Sequence, residues 1–99
     1  MNDYDKFKGK VVCVDVDGLF CTGESWTVED CLKAKPIIEN IEKINKIYEF
    51  GFIVIYTARR DDLLDVTLQW LRLNGVKFHA ISNNKIPSDF YIDDKMISI

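Results

Sequence analysis

The sequence predicts an α/β fold, a mainly parallel sheet with flanking helices, from three observations. Lys10 to Val16 is an almost unbroken apolar run, the pattern of a strand covered on both faces. Ile37 to Tyr48 repeats isoleucine at helical spacing, with Glu39, Glu42, Lys43, Lys46 and Glu49 on the other side. Phe52 to Tyr56 is a second short apolar run. Strand, helix and strand in that order form a βαβ unit, whose crossover makes the two strands parallel.

Each element has its own local reason. Val11, Val12, Cys13, Val14 and Val16 give strand one. The stretch from Gly18 to Lys35 has no clear period and contains Gly23, Ser25 and Thr27, so residues 19–35 read as a flap over the end of the sheet. Pro36 suits the first position of the following helix, and Gly51 supplies its stop. Asp61 and Asp62 favour a second helix start, with Leu64, Leu68 and Leu71, flanked by Leu63 and Trp70, as its buried stripe. Asn74-Gly75 ends that helix. Val76 to Ile81 fits a third strand, and Phe90-Tyr91-Ile92, after a polar loop through Asn83, Asn84 and Pro87, a fourth.

Ninety-nine residues, 47% of them hydrophobic, suffice for one core, so residues 1–99 are expected to form a single domain. A chain this short leaves apolar residues near its edges, and a homo-oligomer is one way to cover them. The net charge of -3, with no Lys/Arg run, argues against nucleic acid or an anionic membrane as partner. Cys13, Cys21 and Cys31 are odd in number and lack zinc-site spacing; three free thiols point to a reducing cytosol. The N-terminus has no signal-peptide pattern, and no run reaches membrane-spanning length, so a soluble cytoplasmic protein is expected.

In an open α/β sheet, ligands bind at the carboxyl ends of the strands. There the sequence offers Asp15 and Asp17 after strand one, Thr57 after strand two, Lys85 after strand three and Asp93-Asp94 after strand four. Four carboxylates converging on one edge call for a cation, and oxygen-only ligation favours Mg2+. Lys85 and the Thr57 hydroxyl suit phosphate oxygens. The i, i+2 spacing of Asp15 and Asp17 puts both on one side of an extended chain, and a turn at Gly18 can then give them different tasks: one nucleophile, one general acid/base.

With these parts in order, the sequence resembles the haloacid dehalogenase superfamily. Val11-Val12-Cys13-Val14-Asp15-Val16-Asp17-Gly18 looks like its first motif, Ile53-Val54-Ile55-Tyr56-Thr57 its second, Lys85 its third and Tyr91-Ile92-Asp93-Asp94 its fourth. The resemblance implies a Rossmann-like fold and a magnesium-dependent hydrolase, a phosphatase of phosphate monoesters. Asp15 would be the nucleophile and Asp17 the acid/base, its carbonyl also facing the metal. Asp93 and Asp94 would complete the Mg2+ site, and Thr57 and Lys85 would hold the phosphoryl group. The short flap leaves no room for a cap domain. Thr57-Ala58-Arg59 and Asp93-Asp94-Lys95 look like the small capless members, so Ala58 and Arg59 become expected substrate-binding residues. The substrate would be a small phosphorylated metabolite, a sugar phosphate among the candidates.

Two departures bear on turnover. Leu19 stands where phosphatases of the superfamily usually carry Thr, and the chain ends at Ile99, soon after the fourth motif. Met96 to Ile99 offers a short terminal strand or a subunit contact. The alternative function is therefore a noncatalytic metal- and phosphate-binding regulatory module. A signalling receiver domain shares the residue types but not their order. Ordinary readings also stand beside the functional ones. Asp-x-Asp occurs in turns, Thr57 and Lys85 suit loops, Arg59 and Arg60 can neutralise Asp61 and Asp62, His79 suits a structural role, and Trp26 can serve substrate, core or subunit contact.

Overall fold

The computed structural model describes residues 3–23 and 25–93. In chain order its strands and helices are β1 (Val11–Asp15), β2 (Cys21–Thr22), α1 (Val28–Lys33), β3 (Lys35–Pro36), α2 (Ile38–Tyr48), β4 (Phe52–Tyr56), α3 (Leu64–Leu73), β5 (Ala80–Ser82) and β6 (Phe90–Ile92). Single 3-10 turns at Asp5–Phe7 and Asp61–Leu63 precede β1 and α3. The main sheet has the order β5-β4-β1-β6, and every neighbouring pair is parallel. All four carboxyl ends thus share one edge, in an α/β arrangement compatible with a Rossmann-like fold.

The core follows from the alternation of β1. Val12 lies opposite Ile53 and Phe90, and Val14 opposite Ile55 and Ile92, so these side chains share one face of the sheet. Ile41, Ile44 and Ile47 of α2 and Trp70 and Leu71 of α3 pack with them. Burying side chains of this size is worth about 1.5–3 kcal/mol each, which outweighs the modest strand and helix propensities that begin each element. Cys13, Val54 and Tyr91 are in register on the opposite face.

The flap is more ordered than its lack of period predicts. Leu19, Phe20 and Cys21 turn into the core, and β2 and β3 form a two-stranded antiparallel ribbon. Between them α1 starts at a capping box, in which Thr27 Oγ1 accepts from the Asp30 N–H and Asp30 accepts from the Thr27 N–H. Cys31 of α1 packs against Leu63 and Val66, and Trp70 Nε1 donates to Ala34 O at 3.0 Å, tying the flap to α3.

Three expected elements differ in detail. Pro36 belongs to β3, not to the helix, because the Ile37 N–H donates to Phe20 O at 2.7 Å and holds the chain extended; α2 starts at Ile38, whose side chain is exposed. The buried stripe of α3 is Val66, Thr67, Trp70 and Leu71, continuing from Leu63, while Leu64 and Leu68 are half-buried. The third strand is Ala80–Ser82 rather than Val76 to Ile81, because Val76 N bonds Leu71 O and Lys77 N bonds Asn45 Oδ1, outside the sheet ladder. Asp94, Lys95 and the proposed strand at residues 96–99 lie outside the described residues. Among those described, no helix is long and apolar enough to cross a membrane.

Candidate functional site

The run after β1 is a tight turn. Leu19 N and Phe20 N both donate to Val16 O, Gly18 N donates to Cys21 O, and Gly18 has φ 84°, a conformation that favours glycine. Asn40 Nδ2 caps Leu19 O at 2.8 Å from the first turn of α2. The turn is anchored by Val16 and Leu19, both fully buried, so packing accounts for a leucine at position 19, and its side chain lines neither of the hollows described below.

Asp15 and Asp17 leave this turn toward different hollows. Asp15 lines a cavity of about 60 Å³ with Lys85, Asp93, Tyr56 and Cys13, at the carboxyl ends of β1, β4 and β6. Its Oδ1 accepts from the Val16 N–H at 2.8 Å. Lys85 Nζ lies 5.0 Å from the centre of the Tyr91 ring, and Tyr91 in turn fixes the β5–β6 loop by accepting from the Ser88 N–H and donating to Ile86 O. Burial pushes the Cys13 thiol up despite the nearby Lys85 charge.

Asp17 lines a second cavity of about 210 Å³ with Ser25, Trp26, Ala58, Arg59, Arg60 and Leu63. Its carboxylate is gripped by Arg59 in a bidentate pair: Nη2 to Oδ1 at 2.7 Å and Nε to Oδ2 at 3.1 Å. The guanidinium is 3% exposed and the Asp17 side chain 42%. Arg59 Nη1 also donates to Thr67 Oγ1 at 3.0 Å, and Thr67 passes its own proton to Leu63 O at 2.7 Å. Burial works to lower the Arg59 pKa, but the hydrogen bond and charge of Asp17 leave it above its ordinary value. Cys21 completes the cluster, its thiol 3.8 Å from Asp17 Oδ1 and 3.6 Å from Arg59 Nη2. Burial, then the Asp17 charge, push that thiol up to about 11.

Arg59, expected to bind substrate with Ala58, bonds Asp17, and both Ala58 and Arg59 line the larger cavity. Arg60 pairs with Asp62 at 3.1 Å. Thr57 is fully buried and lines neither hollow, its N–H bonded to Ser82 O and its Oγ1 accepting from the Arg59 N–H at 3.1 Å. His79 is structural: its Nδ1 accepts from the Ile53 N–H, and its ring stacks on Tyr48. Sequence reasoning missed the Arg59–Asp17 pair and the Thr67 and Cys21 that surround it. The one available signal was a buried-stripe threonine in α3, a polar group that needs a partner.

No group of three or more His, Cys, Asp or Glu side chains among the described residues is placed to hold a metal. Asp15 and Asp93 share one hollow, however, and Asp94 follows outside the described residues. Two carboxylates in one hollow are the donor type that a hard cation takes.

Fold and site together define an α/β chain with an acidic, lysine-bearing hollow at the carboxyl edge of a parallel sheet. Comparison with protein-family models, curated proteins and solved structures finds no match.

Proposed function

We propose that this chain is a capless phosphohydrolase of the haloacid dehalogenase type, acting on a phosphate monoester, sugar phosphates included, through an aspartyl phosphate on Asp15. The observation that carries the reading is the convergence of Asp15, Lys85 and Asp93 on one small hollow, with Asp17 one turn away and fixed by Arg59.

In this reading an Asp15 carboxylate oxygen attacks phosphorus, a new P–O bond forms, and the ester P–O bond breaks. The departing alkoxide takes a proton from Asp17, which must carry that proton and give up one of its two bonds to Arg59 for the step. Water then attacks the phosphorus of the aspartyl phosphate, its proton goes to Asp17, and inorganic phosphate leaves with Asp15 restored. Lys85 balances charge on the phosphoryl oxygens. Arg59 positions Asp17, and it also lines the larger cavity. Asp15 and Asp93, with Asp94 and the Asp17 carbonyl, would hold Mg2+; the ion supplies charge neutralisation on the transferring group.

Hydrolysis of an aryl phosphate in the presence of Mg2+, lost on chelation and restored by added metal, is the expected result. Thermal protection by phosphate esters with no hydrolysis across a broad panel would instead identify the noncatalytic binding module and refute the hydrolase.

A further inference from the structure

We infer that the larger cavity beside Asp17 is the subsite for the alcohol half of the substrate, and that it takes an uncharged alcohol whose flat apolar face stacks on Trp26. This rests on the hydrolase reading, because it identifies the cavity by the reaction's geometry. In-line displacement sends the leaving oxygen away from the nucleophile and toward the acid that protonates it. Asp15 opens into about 60 Å³ and Asp17 into about 210 Å³, with the fully buried Val16 between them. The larger space is the one beside the acid, which is where the hydrolase reading puts the leaving group.

The walls decide the chemistry. The Trp26 side chain is exposed, with the residue at 72%, and Ala58 and Leu63 are its apolar companions in the cavity. Its backbone is held from two sides: Arg60 Nη2 donates to Trp26 O at 3.0 Å, and the Trp26 N–H donates to Asp30 Oδ2 at 3.3 Å. A fixed backbone and an indole that bonds none of the described residues make a platform for a ring. The two cations of the wall are each matched by a carboxylate, Arg59 by Asp17 and Arg60 by Asp62. Among the described residues both cations of the cavity are thus already paired, and Ser25 and Arg60 add hydrogen-bonding groups to its lining.

A pyranose and an arene both present such a face, and two readouts separate them from each other and from the hydrolase reading itself. The first is the indole N–H spectrum of 15N-labelled protein. Trp70 Nε1 is bonded to Ala34 O in the core and serves as the internal reference. Methyl glucoside or phenol should shift the Trp26 signal and not that of Trp70, and the larger response names the source.

The second readout is the ratio of kcat/KM for a hexose 6-phosphate, or for phenyl phosphate, to that for acetyl phosphate, whose small leaving group needs no platform. Trp26→Ala should lower that ratio about tenfold, the scale of one lost stacking contact, and Trp26→Phe should restore part of it. Leu73→Ala, an exposed apolar control at the end of α3, should leave the ratio alone. Turnover with an unchanged ratio and a silent Trp26 signal would overturn the subsite and leave the hydrolase standing. A Trp26 shift with no turnover of any ester would support the ligand class and overturn the hydrolase.

Discussion

Removing the Arg59 side chain tests how the acid/base candidate is held. Arg59→Met keeps the buried stem and deletes the guanidinium, which makes two bonds to Asp17 and one to Thr67. Breaking a fully buried ion pair costs about 3–5 kcal/mol, but Asp17 is 42% exposed and recovers part of its hydration. Thr67 keeps its bond to Leu63 O. The expected loss is therefore about 2–3 kcal/mol, of which about 1–2 kcal/mol should appear as coupling in a double-mutant cycle with Asp17→Asn. Urea unfolding followed by circular dichroism reads both; at an m value of about 1.5 kcal/mol/M the single variant should lose about 1–2 M in midpoint. A coupling energy below about 0.5 kcal/mol would refute the view that this pair fixes Asp17.

Other outcomes follow from the same geometry. Gly51→Ala would bring a Cβ to 2.6 Å from Phe7 O and 2.9 Å from Lys10 O, both backbone atoms. It should cost about 2 kcal/mol and lower the melting temperature by about 10 °C in calorimetry. Cys21 holds its proton more tightly folded than unfolded, with a thiol at about 11 against an ordinary 9.0. Its contribution is therefore fully present below about pH 9 and is lost as pH rises through about 11, up to about 2–3 kcal/mol. Urea melts should show that loss across the window, and Cys21→Ala should flatten it. His79→Ala removes the acceptor for Ile53 N–H and the stack on Tyr48, and should lower stability by about 1–2 kcal/mol in the same melts.

Much of the sheet was legible because its signal is local. Val12 and Val14 of β1, Ile53 and Ile55 of β4, and Ile41, Ile44 and Ile47 of α2 are buried at the spacing their periodicity requires. The hollow formed by Asp15, Lys85 and Asp93 was legible too, since parallel strands bring their carboxyl ends to one edge whatever the intervening loops. Pro36 misled because a fixed φ suits a short strand as well as a first helical turn, and only the Ile37–Phe20 bond decides between them. The α3 stripe was rotated because leucines were counted and Thr67 was not; its burial depends on a guanidinium from another segment. Arg59 and Asp17 are forty-two residues apart, and no local pattern announces that they meet. For Trp26 the sequence leaves substrate, core and subunit contact open, and its exposed place in a cavity wall beside Asp17 excludes only the core.

The central claim is covalent chemistry at Asp15, and trapping tests it most directly. Protein quenched during turnover of a phosphate ester and reduced with borohydride should carry homoserine at position 15, read by peptide mass spectrometry. Asp15→Asn should show neither the trapped residue nor turnover. Full activity in Asp15→Asn, or trapping at another carboxylate, would contradict the account.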